Sequence, residues 1–126
     1  MFYRRYGAAR CGDDVGGRLR TAAEAVPGVD PEKAPIVLTD PLEKQLALHL
    51  LRYPEAVVRA AEVCKPNVLA DYLFALSQLY SSFYQRFNIL KSEPAVRDSR
   101  AHLCVLVARL LRDGLGLLGI HSPERI

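Results

Sequence analysis

Ser77, Ser81 and Tyr84 follow one another at four and three residues, so on a helix two hydroxyls and a phenol would line one flank. Tyr3, Tyr6 and Arg10 share a face in the same way near the amino end, which sets a guanidinium beside aromatic rings. Arg100 falls at the edge of an apolar stripe rather than opposite it. Rings that stack on splayed bases, hydroxyls that reach base edges and cations that meet phosphates are the contact chemistry of a looped RNA. Plainer roles stay open for each. Tyr84 can be a core tyrosine with its hydroxyl at the surface, both serines can face solvent, and Arg10 and Arg100 can pair with carboxylates. Tyr80 and Phe83, nearer the centre of the stripe, read as core before they read as stacking platforms.

Covalent and metal chemistry have no such pattern. Cys11, Cys64 and Cys104 are far apart and lack metal-ligand spacing, so they read as reduced packing residues. His49, His102 and His121 are scattered over different segments and suggest neither a metal triad nor a Cys-His nucleophile pair. No cofactor and no metal are expected. A formal charge of +3 and a pI near 8.9 permit an anionic partner without requiring one. At 126 residues, 50% hydrophobic and 25% charged, the chain has the balance of one globular domain spanning residues 1–126. Its longest apolar run, from Leu103 to Ala108, is far short of the roughly 20 residues that cross a bilayer, and Met1–Arg5 is not the start of a signal peptide. A cytoplasmic protein with no membrane contact is expected.

The elements that must hold these side chains are helices. Periodicity near 3.6 recurs along the chain and sustained alternation does not, so the expected class is all-α, an antiparallel bundle of about five helices. The first helix starts near Phe2 and is weakened by Gly7, Gly12, Gly16 and Gly17. Residues 27–39, PGVDPEKAPIVLT, form an internal loop rich in proline, within which Ile36-Val37-Leu38-Thr39 could be briefly extended. Asp40, Pro41 and Glu43 have the order of a capping box opening a helix whose apolar face holds Leu42, Leu46 and Leu50. Pro54 opens the next, with Val57, Val58, Ala61 and Cys64 as its inner stripe and Lys65-Pro66 as its end.

The longest stripe joins Leu69, Leu73, Leu76, Tyr80, Phe83 and Phe87 on a helix from about Asn67 to Phe87. After a break at Ser92-Glu93-Pro94, Leu103, Leu106, Val107 and Leu110 define a last helix that Gly114, Gly116 and Gly119 should end. Arg109 and Arg112 project from the side away from its stripe and read as solvated charges.

Four stretches, taken in order, resemble the α-helical anticodon-binding (DALR) domain of arginyl-tRNA synthetases. They are Tyr6-Gly7-Ala8-Ala9-Arg10, the run EKQLALHLLRYP from Glu43 to Pro54, VLADYLFALSQLYSSFY from Val68 to Tyr84, and Gly114 to Arg125 with its Gly-Leu-x-Leu-Leu-Gly-Ile and Pro-Glu-Arg. The last is the most specific. The chain departs from the family pattern at Gly12–Gly17, at Tyr80-Ser81 where Phe-Asn is usual, and at Ile126 where methionine is usual.

The resemblance implies the anticodon-binding fold of a class I synthetase and an arginine-type tRNA anticodon arm as partner. Together with the helical spacing, it points to RNA contact at Tyr6, Arg10, Ser77, Ser81, Tyr84, Arg100 and Ile126. The ATP-phosphate motifs of a class I catalytic domain, His-x-Gly-His and Lys-Met-Ser-Lys-Ser, have no counterpart, so catalysis by this chain alone is not expected. A stand-alone or excised C-terminal domain is the first reading. A helical module that kept the fold, lost the RNA surface and binds a protein partner is the alternative.

Overall fold

In the computed structural model, which describes residues 35–121, Asp40 takes extended angles, φ −96° and ψ 146°, and caps helix α1, Pro41–Leu51. Its carboxylate accepts from the backbone of the first turn while Glu43 reaches back to the Asp40 amide, so the capping box read in the sequence forms. Arg52 joins α1 to helix α2, Tyr53–Glu62, donating its amide to the carbonyls of His49 and Leu50.

The inner face of α2 differs from the expected one. Val58, Ala61 and Cys64 are exposed, whereas Tyr53, Val57 and Ala60, at four and three residues, pack against the core. Tyr53 sets this rotation. It stands at the start of α2, and its ring lies 5.8 Å from that of Tyr72 on the next helix, so the face it begins is the face that turns inward. Cys64 then leaves the helix with φ +53°, a left-handed conformation usually given to glycine. Its amide donates to Ala61 and that of Lys65 to Ala60, the two crossed bonds of a Schellman end.

Helix α3, Pro66–Arg86, buries Leu69, Leu73, Leu76, Tyr80 and Phe83 of the stripe its spacing predicts, whereas Phe87, the last member expected, is half-buried just beyond the helix. Phe87 is extended, a short 3-10 turn at Ile89–Lys91 drops Ile89 into the core, and helix α4 runs over Pro94–Leu117. Here the glycines correct the sequence reading: Gly114 and Gly116 lie within α4, and only Gly119 ends it. Gly114 is buried because the helices close on it; a Cβ there would stand 2.6 Å from one Leu73 methyl and 2.8 Å from the other. Gly119, at φ +74°, supplies a second Schellman end, in which Ile120 donates to Leu115 and packs on the core. The buried stripe of α4 is Leu103, Val107, Leu111 and Leu115, a four-residue step that leaves Leu106 and Leu110 half-buried beside it.

Four α-helices and the 3-10 turn occupy the described residues, and no strand is among them. The expected first helix and most of the 27–39 loop lie outside them. The segment Ile36–Thr39 finds no strand to pair with. Instead the Ser99 hydroxyl accepts from the Val37 amide at 2.8 Å and donates to the Val37 carbonyl at 3.0 Å. One buried side chain on α4 thereby satisfies both backbone groups that a ladder would have served. No helix among the described residues is long and apolar enough to cross a membrane.

Candidate nucleic-acid interface

The flank expected from spacing is present on α3. Ser77, Ser81 and Tyr84 are all half-buried, along one edge of a helix whose next residues inward are fixed in the core. The Ser77 hydroxyl donates to the Phe74 carbonyl at 2.7 Å, so its proton is committed to its own helix and its oxygen is left as an acceptor. Tyr84 leans on buried Tyr80, rings 6.1 Å apart and tilted by 40°. Burying the Tyr80 phenol requires a polar neighbour, and the Cys104 thiol is one. Cys104 is buried in the core, and burial pushes that thiol up to about 11, against a smaller lowering by the Tyr80 hydroxyl, so it packs there as the neutral thiol. Cys64, expected to pack as well, is exposed at the end of α2.

Arg100 is engaged inside the protein. Its Nε donates to Glu43 Oε1 at 2.6 Å, its Nη1 donates to the Ser92 hydroxyl at 2.8 Å, and its guanidinium carbon lies 4.0 Å from the centre of the Phe87 ring. Of the two roles that the sequence leaves open, the rim ion pair is the one this geometry fills. Glu43 is fully buried. Burial alone would raise its pKa, but donation from Arg100, from the Asp40 and Thr39 amides and from the Thr39 hydroxyl outweighs that and holds it below the ordinary carboxylate value. Beside this pair Arg86 meets Asp40 at 3.0 Å, with its guanidinium 5.6 Å from the same Phe87 ring. Residues from α1, α3, the connection and α4 thus meet around one phenylalanine.

A second polar cluster lies elsewhere. His49 stacks on Tyr72, 4.4 Å between centres and 6° between planes, and the Tyr72 hydroxyl donates to the His49 carbonyl. The Tyr53 hydroxyl donates to Asp113, tying α2 to α4. Tyr72 and Ser77 are separated by about 140° around α3, so this cluster is internal bracing between helices and not an extension of the flank. Burial raises the Tyr72 phenol to about 12 and, with help from Asp113, raises Tyr53 as well. Spacing in the sequence assigns neither His49 nor Tyr53 nor Tyr72 a part in such a cluster. Their contacts join residues 23 and 60 positions apart, which no local spacing reveals.

Tyr6, Arg10 and Ile126 lie outside the described residues. No group of three or more His, Cys, Asp or Glu side chains among the described residues could hold a metal ion. The described surface therefore offers contact chemistry, hydroxyl oxygens and a tyrosine on a rigid helix.

A family model described as the DALR anticodon binding domain matches residues 8–126. The chain belongs to that family. Similar proteins include the arginine-tRNA ligase of Cellvibrio japonicus, 46% identical over an alignment of 103 residues that covers 79% of this chain and 18% of that protein. The arginine-tRNA ligase of Streptomyces coelicolor is 39% identical over 98% of this chain and 20% of its own length. Among solved structures, Thermus thermophilus arginyl-tRNA synthetase superposes with a TM-score of 0.75 at 32% identity, covering 94% of this chain and 20% of that one. The chain thus spans about a fifth of the length of these relatives. The helical arrangement of this DALR domain is that of an arginyl-tRNA synthetase.

Proposed function

We propose that this DALR domain binds the anticodon arm of an arginine-accepting tRNA and carries out no catalysis by itself. The observation that carries the reading is the family match over nearly the whole chain, joined to a flank whose side chains are half presented on a helix fixed from behind. Tyr84 would stack on a splayed base, and Ser77 and Ser81 would meet base edges or sugar hydroxyls. Tyr6 and Arg10 would add a ring and a cation, and the chain end at Ile126 would close the surface. Adenylation is not assigned to these 126 residues, which lack the motifs that hold ATP phosphates. Residues 1–126 are read as one domain in the cytoplasm, with residues 27–39 as its internal loop.

With few phosphates neutralised, binding should be weak and should fall as salt rises, with a shallow logarithmic slope. Gel shift at low salt against an arginine tRNA and an unrelated RNA duplex tests this. Preference for the tRNA supports the reading and equal binding sinks it. Tyr84→Ala should weaken the shift by on the order of tenfold if its ring stacks on a base.

A protein-docking module is the second reading, and one observation favours it: Leu48 and Leu51 are 63% and 76% exposed on the outer side of α1. If the chain mixed with total tRNA leaves a sizing column unshifted, this reading replaces the first.

A further inference from the structure

The connection between α3 and α4 is held from beneath with unusual completeness for a short surface segment. Ile89 is buried in the core, Phe87 lies under the Arg100 guanidinium, and the Ser92 hydroxyl accepts from Arg100 while donating to the Asn88 carbonyl at 3.0 Å. Arg100 is in turn fixed by fully buried Glu43, 57 residues away. The outcome is a rigid turn whose Lys91 is exposed. It begins one helical turn beyond Tyr84, the last residue of the flank.

We infer that Arg100 serves RNA binding as a positioning residue, through the Phe87–Ser92 turn it clamps, and that Lys91 on this turn is the cation that meets a phosphate of the bound RNA. The inference rests on the tRNA reading above and deepens it. A flank of hydroxyls and one phenol carries no charge, so a phosphate backbone passing the end of α3 needs a cation from outside the flank. Arg100 is 12% exposed and paired with Glu43, and Arg86 in the last turn of α3, although 59% exposed, has its charge offset by Asp40 at 3.0 Å. Lys91 has the exposure that the role requires, on a turn anchored by Phe87, Ile89 and Ser92. Exposed Glu93 sets an opposing charge two residues away, which keeps the contribution modest.

Fluorescence anisotropy of a labelled anticodon stem-loop RNA from an arginine tRNA, titrated with the whole 126-residue chain over a salt series, tests this. Lys91→Ala should weaken binding on the order of fivefold at low salt and reduce the slope of log K against log salt by about 0.7 to 0.9. Arg100→Lys keeps the charge but loses the fork that spans Glu43 and Ser92, so it should lower the slope by the same increment and add nothing in a Lys91→Ala background. Ser92→Ala, which leaves the buried ion pair intact, should weaken binding in the same direction and guards against an Arg100 variant that fails to fold. Independent, additive losses from the Arg100 and Lys91 changes would overturn the inference by making Arg100 a direct contact. Wild-type binding that Lys91→Ala leaves unchanged would overturn it while sparing the tRNA reading, and absence of wild-type binding would end both.

Discussion

Replacing Glu43 by glutamine would leave the Arg100 guanidinium largely buried without its carboxylate, and breaking a buried pair from one side costs several kcal/mol. Glu43→Gln should therefore lower unfolding stability on the order of 3 kcal/mol at neutral pH, read by urea denaturation. Two glycines make a second test at this scale. Gly116 has nothing within 4 Å of a built Cβ, so Gly116→Ala should raise stability by about 0.5–1 kcal/mol through helix propensity alone. Gly114→Ala gains the same propensity but drives a methyl into both ends of Leu73 and should be net destabilising by about 1–2 kcal/mol. Thermal melts of the two variants should shift in opposite directions. Equal shifts would mean that Leu73 rotates away freely and that Gly114 is not a packing requirement.

The ends of helices α2 and α4 share one device built on different residues. Both close with crossed hydrogen bonds around a left-handed residue, Cys64 in one case and Gly119 in the other. Left-handed angles crowd a Cβ against the backbone, so Cys64→Gly should stabilise the chain by up to about 1 kcal/mol and Gly119→Ala should destabilise it by about as much. Chemical denaturation of the pair reads both signs. The α3–α4 connection solves another element problem: it reverses the chain over a few residues without a glycine or an Asn-Gly turn. Ile89 in the core and Phe87 under Arg100 replace turn chemistry with tertiary anchoring. That is also why sequence reading finds only a break at Ser92-Glu93-Pro94 and not the structure of the break.

Across the whole molecule, the Glu43–Arg100 pair and the Ser99–Val37 bonds fasten the chain entering α1 to the far helix α4. Stability should consequently depend on the charge of Glu43. Its pKa is held below the ordinary carboxylate value, so the folded state takes up this proton less readily than the unfolded chain. The contribution is fully present above the ordinary carboxylate value and is lost as pH falls from there through the lower folded value. A denaturation series across that window should show wild-type stability declining more steeply than that of Glu43→Gln. Parallel declines would assign the acid sensitivity to other carboxylates.

The helices themselves were legible because their causes are local. Asp40, Pro41 and Glu43 are a cap within four residues, and the α3 stripe is a periodicity that any helical winding brings to one face. The flank of Ser77, Ser81 and Tyr84 follows from that same winding, and the closing Gly-Leu-x-Leu-Leu-Gly-Ile lies within the residues that the family model matches. What the last motif does physically was decided by tertiary structure: Gly114 admits Leu73, Gly119 turns the chain, and Ile120 returns to the core. The inward face of α2 and the engagement of Arg100 were also decided there. Each depends on a partner that periodicity cannot name, Tyr72 for Tyr53 and Glu43 for Arg100, brought close only when separate helices pack.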